Sequence, residues 1–156
     1  MISQDCRKAT RLTLAWFFTQ SNPKGRHRNF SAGQILFIQG TIAKGCYVIQ
    51  KGTVELRLTS PHGSCITVEM VGAGNLIGLS AAFADHKYVL TARAVSDTNA
   101  IYIPCEQVIR SLRTHPEMRM LILASLSRSL QRAISRSAAA RLSPRKKNPI
   151  KQYVVK

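Results

Sequence analysis

The chain has 156 residues, enough for one domain with a real core, and 45% of them are apolar against 19% charged. That composition excludes a disordered chain, and no apolar run approaches the roughly 18 residues a membrane-spanning helix needs. Twenty-three Lys and Arg against seven Asp and Glu give a formal net charge of +16, which points to anionic company: nucleic acid, a membrane surface or an acidic partner.

Residues 1–29 carry six basic side chains, Arg7, Lys8, Arg11, Lys24, Arg26 and Arg28, against Asp5 alone. The apolar run Leu12-Thr13-Leu14-Ala15-Trp16-Phe17-Phe18 superficially resembles a secretory signal. It is short, interrupted by Thr13 and followed by polar residues in place of a small-x-small cleavage site. It reads as a short amphipathic helix of a cytoplasmic protein, with a basic linker up to residue 29.

From residue 30 to 105 the charges nearly balance, five basic to four acidic. Short β-type runs are broken here by glycine: Gln34 to Gln39 before Gly40, Cys46 to Gln50 before Gly52, and Thr53 to Thr59 before Pro61-His62-Gly63. Ser64 to Val71 stops at Gly72-Ala73-Gly74, and Val89 to Val95 and Ala100 to Ile103 complete the set. The period-two alternation of Thr53-Val54-Glu55-Leu56-Arg57-Leu58-Thr59 marks a half-buried strand. Many short strands with turns between them predict a mainly β fold, a sandwich or jelly roll, in place of a parallel α/β sheet.

After Pro104 the period changes. Glu106 to Thr114 reads as a helix, and Pro116 suits the first position of a second, longer one. Leu123, Leu126, Leu130, Ala133, Ser137 and Ala140 recur at spacings of three and four, the a and d positions of a heptad seam. Arg119, Arg128, Arg132 and Arg136 are expected on the other faces of that helix. A helix folded back on its own sheet gives the same stripe, but a β-roll offers it little core to cover. The seam is therefore read as a homodimer interface through Leu123, Leu126, Leu130 and Ala133. Residues 143–156 are expected to form a basic, flexible tail. Residues 135–156 hold seven cations and no acid; Arg141, Arg145, Lys146, Lys147 and Lys151 are the candidate nucleic-acid contacts, acting by counterion release without a fold.

The order of these parts resembles the Crp/Fnr type of cyclic-nucleotide-binding domain. Gly40-x5-Cys46-Tyr47-Val48-Ile49-x-Lys51-Gly52-Thr53-Val54 is similar to that family's Y-x-I-x-x-G-x-V segment. Gly72-Ala73-Gly74-Asn75-Leu76-Ile77-Gly78 resembles the lead into its phosphate-binding cassette. Thr91-Ala92-Arg93-Ala94, Ile101-Tyr102-Ile103-Pro104 and His115-Pro116-Glu117 fall in the family's places, and Leu126 to Ala133 resembles its dimer helix. The resemblance covers roughly residues 12–134 and implies a double-stranded β-helix with flanking helices, a long C-terminal dimerisation helix, and a role in sensing a small-molecule effector.

The departures bear on function. In ligand-binding members the cassette presents backbone N–H groups to a cyclic phosphate, a Glu after the cassette glycine binds the ribose hydroxyl, and an Arg neutralises the phosphate. Aligned without gaps from Ile77 to Ala94, the Glu position is Leu79 and the Arg position is Tyr88, followed by Val89. A phosphate buried without its cation loses about 3–5 kcal/mol, so cyclic AMP binding is not expected. Gly78, Leu79, Ser80, Lys87, Tyr88 and Val89 are the degenerate effector site, suited to an apolar ligand or to none. Lys87 adjoins Tyr88 but points to the opposite face of a strand. The dimer-helix positions that touch the base in the family are Ala133 and Ile134. The helix-turn-helix domain of Crp/Fnr regulators finds no counterpart in the residues after Ala133, which include Pro144 and Pro149.

Chemistry of other kinds finds few candidates. His27, His62, His86 and His115 are isolated, with no H-x-H pair for a metal. Cys6, Cys46, Cys65 and Cys105 form no C-x-x-C and read as small semi-buried hydrophobes. Ser64 and Cys65 lie beside His62 in a turn without an orienting carboxylate. No catalytic residue, metal or cofactor is expected. The competing readings are a nonspecific nucleic-acid binder acting through its basic ends and a ligand-free interaction scaffold.

Overall fold

In the computed structural model, the protein is described at residues 16–18, 26–83 and 86–142, with side chains as far as residue 137. Among the described residues eight strands form two antiparallel sheets. β1 (Arg26–Phe30), β8 (Thr98–Pro104), β3 (Gly45–Lys51) and β6 (Leu76–Ile77) make the first, in that order; β2 (Ile35–Phe37), β7 (Thr91–Ala94), β4 (Thr53–Thr59) and β5 (Cys65–Gly72) make the second. A 3-10 turn, Leu79–Ala82, follows β6, and two helices follow β8 among the described residues: α1 (Cys105–Thr114) and α2 (Pro116–Leu142).

Alternation along β3 and β8 builds two cores from one sheet. Ile49 and Ala100 face the second sheet and meet Phe37, Val54, Val71, Tyr88 and Ala92 there. Cys46, Val48, Ile101 and Ile103 face outward and are covered by Val108 of α1, Met118 and Ile122 of α2, Phe18 and Leu79. A strand buried on both faces loses the polar half of its alternation, which is why Cys46-Tyr47-Val48-Ile49 reads as a nearly continuous apolar run. The result is the expected mainly β double-layer roll with helices packed on one sheet.

The structure departs from the sequence reading in several places. Arg26–Phe30, expected as linker, is a strand paired with β8 from Arg26↔Tyr102 to Phe30↔Thr98, so the boundary placed at residue 30 falls inside an element. Its sequence, RHRNF, has one apolar residue and no amphipathic period; pairing with β8 makes the strand. Leu76–Ile77 is a short strand against Val48 and Tyr47. The described cysteines divide: Cys46 is buried, Cys105 half-buried and Cys65 exposed, all as free thiols, while Cys6 lies outside the described residues. Cys65 therefore corrects the expectation of a semi-buried hydrophobe, because it opens β5 beside the exposed hairpin turn. Among the described residues no three His, Cys, Asp or Glu side chains are placed to share a metal ion.

Candidate effector site

A cavity of about 470 Å³ lies where the cassette segment meets α2. Leu79 sits in the 3-10 turn and is buried; Gly78 caps that turn, and Ser80 beside it is exposed. All three, with Tyr88 and Val89, line the cavity. Lys87 does not: it is exposed and forms an isolated bridge with Ile42, so five of the six residues named from the sequence line this cavity.

Tyr88 decides the character of the cavity. Its ring stacks on Phe37 with centroids 4.0 Å apart and planes 13° from parallel. Its hydroxyl donates to the Gly45 carbonyl at 2.6 Å, and only 7% of the residue is exposed. Backbone bonds from Tyr88 to Thr41 and from Gly40 to Tyr88 fix it from the other side. Burial pushes the phenol well above its ordinary pKa, and nearby Tyr47 adds to the effect, so Tyr88 stays neutral. Gly78 has φ +78°, and a Cβ there would stand 3.1 Å from the Tyr88 ring. The glycine thus gives the turn its left-handed geometry and gives the ring its space.

The opposite wall comes from α2. Leu126, Leu130 and Ala133 line the cavity, as do Arg128, Arg132 and Arg136. On α2 these arginines form one row at a spacing of four, apart from the Leu126–Leu130 stripe, and that row also borders the cavity. Arg132 is tied down, its Nη1 donating to Glu69 Oε1 on β5 at 2.7 Å. Arg128 and Arg136 have no described acid within ion-pair range.

The seam residues divide along the helix. Met118 and Ile122 are buried in the protein's own core, and Leu126 packs partly against it. Leu123 is 58% and Leu130 62% exposed, and Ala133 is exposed too. The first turns of α2 therefore fold back on the sheet, while the next turns present leucines to solvent. Arg145, Lys146, Lys147 and Lys151 lie outside the described residues, as does the side chain of Arg141.

Residues 27–115 match the family model of the Cyclic nucleotide-binding domain. The chain belongs to that family. Regulators are among the proteins it is similar to. A Global nitrogen regulator of Nostoc sp. is 30% identical over 100 residues, which cover 63% of this chain and 45% of the relative. A Cyclic AMP receptor protein of Thermus thermophilus is 27% identical over 108 residues, 69% of this chain and 50% of that protein. The crystal structure of the Thermus thermophilus Catabolite Activator Protein superposes with a TM-score of 0.69 at 22% identity, covering 90% of this chain and 61% of that one. The chain spans about half the length of the curated relatives it matches.

Within this cyclic-nucleotide-binding domain, sequence reasoning missed Phe37, Glu69 and the arginine side of α2. The i, i+4 spacing of Arg128, Arg132 and Arg136 was a visible signal. What hid its meaning was the pairing with Glu69, 63 residues away, which only the fold brings together.

Proposed function

We propose that this chain is the regulatory sensor part of a Crp/Fnr-type protein, acting as a homodimer through Leu123, Leu126, Leu130 and Ala133, and that its effector is not a cyclic nucleotide. The observation that carries the reading is Tyr88. At the position where nucleotide-binding relatives are expected to place a phosphate-neutralising Arg, a neutral phenol is stacked on Phe37 and bonded to Gly45. Leu79 replaces the ribose-binding Glu and is buried among apolar side chains. An apolar wall rimmed by Arg128 and Arg136 suits an effector with an apolar body and one anionic group. Because α2 supplies both a cavity wall and the exposed leucines, an occupant of the cavity would bias the arrangement of the two helices in the dimer. No catalytic role is assigned.

The test is a thermal-shift titration with millimolar cyclic AMP and cyclic GMP. Ligand at 100 times its Kd stabilises by about 2.7 kcal/mol, several degrees for a domain of this size. No shift is expected, and a clear one overturns the reading of Leu79 and Tyr88. The concentration of basic residues in the chain's flanks favours a second reading, nonspecific nucleic-acid binding. It predicts an affinity that falls steeply with salt and shows little sequence preference.

A further inference from the structure

A second hollow, of about 490 Å³, opens at the mouth of the sandwich between the edge strands β1 and β2. It shares only the Phe37–Tyr88 stack with the cassette cavity, so that ring pair is the partition between the two. The register sets its composition. Arg26 lies opposite Tyr102, and Tyr102 opposite Tyr47. Arg28 lies opposite Ala100, and Ala100 opposite Ile49, both in the inner core. Phe30, two residues on from Arg28, turns its ring to Tyr47 with centroids 6.0 Å apart. By strand alternation Arg26 and Arg28 share that inward face, where a sandwich places apolar side chains.

Lys44 adds a third cation to the wall, and among the described residues no acidic side chain lines the hollow. Among the described residues, none of the three has an acid within ion-pair range. Tyr47 and Tyr102 form an edge-to-face pair at 5.2 Å, and Ile38 and Ile42, 51% and 70% exposed, complete the rim. Burial raises both phenols, which keeps them as O–H donors.

We infer that this hollow is a binding site for a small organic oligophosphate, its phosphates held by Arg26, Arg28 and Lys44 and its planar body set against Tyr102 and Ile42. Three unneutralised cations match a charge of three to four, and aromatic and aliphatic side chains match a planar ring. The hollow ends at the Phe37–Tyr88 partition, which favours a compact molecule entering from the edge over a strand that must run through. Inward charges on an edge strand also deter strand pairing, but that role needs neither Lys44 nor the tyrosine row. The site is separate from the cassette cavity and stands whether or not the proposed effector reading does.

The probes are tripolyphosphate, ATP and adenosine, titrated calorimetrically into the full chain in about 150 mM salt, where weak surface attraction is screened. Tripolyphosphate and ATP are expected to bind and adenosine not. Arg28→Gln and Lys44→Gln, both at exposed positions, are each expected to weaken binding about tenfold with an unchanged Tm. Tyr102→Leu is expected to weaken ATP more than tripolyphosphate, a separation that a purely electrostatic patch does not produce. Absence of binding overturns the proposal, as does binding that Arg28→Gln and Lys44→Gln leave intact. A single-stranded oligonucleotide that outcompetes ATP through the basic tail, judged by loss of its binding when residues 143–156 are removed, also overturns it.

Discussion

Tyr88 does several things with one side chain: it fills the space beside Gly78, closes the stack on Phe37 and supplies a donor to the Gly45 carbonyl. These contributions separate by substitution. Tyr88→Phe removes only the hydroxyl and is expected to cost about 1 kcal/mol, a few degrees of Tm. Tyr88→Ala removes the ring and is expected to cost about 3–5 kcal/mol, as large buried aromatics do. Gly78 answers to the same ring. Gly40 has a similar φ of +80° but nothing within 4 Å of an added Cβ, whereas at Gly78 the Tyr88 ring stands 3.1 Å away. Gly40→Ala therefore costs the left-handed strain alone, about 1 kcal/mol. Gly78→Ala is expected to cost more, because the ring must also move; denaturant titration of both variants checks the difference. Tyr88 was legible as a loss, a missing cation in a motif. That it is also a built feature was not, since its partners Gly45 and Phe37 lie 43 and 51 positions away in the chain.

At the scale of elements, α2 changes allegiance along its length. Met118 and Ile122, fully and almost fully buried, anchor its first turns to β3 and β8, and Met118→Ala or Ile122→Ala is expected to cost about 2–5 kcal/mol. Leu123 and Leu130, both more than half exposed, have no such burial to lose within one copy. Leu130→Glu is expected to leave the circular dichroism spectrum unchanged while converting the protein from dimer to monomer in sedimentation velocity. A wild-type chain that already sediments as a monomer overturns the seam. The heptad spacing showed where the stripe runs. It did not show where core ends and seam begins, because a helix against its own sheet and a helix against a second copy use the same period. Strands were legible in the same graded way. β4, whose sequence alternates apolar and polar, falls where the sequence places it, Thr53–Thr59, although a register shift between Leu56 and Arg57 breaks the alternation and Leu58 is exposed. β1, with charges on its inward face, was invisible until its partner β8 was in place.

For the whole molecule, the question is how a chain of formal charge +16 holds together, and pH separates the opposing terms. Cation repulsion destabilises the compact state. Raising the pH above neutrality relieves that repulsion only as lysines begin to lose charge, near pH 10. Burial acts in the opposite direction. The Tyr88, Tyr47 and Tyr102 phenols and the Cys46 and Cys105 thiols are all raised by desolvation as the first cause. A group whose folded pKa is raised contributes fully while both states keep the proton. That contribution is lost as the pH climbs through the unfolded value toward the folded one. Unfolded thiols titrate near 8.5 and phenols near 10, so the loss begins above about pH 8.5 and steepens past 10. Tm is therefore expected to be level from pH 7 to 8 and to fall beyond 9, with Tyr88→Phe falling less steeply past pH 10 because it has no phenol to ionise. A Tm that rises through pH 10.5 would show that relief of cation repulsion outweighs the buried phenols and thiols, and that the charge in the flanks, not the aromatic core, sets the alkaline limit of the fold.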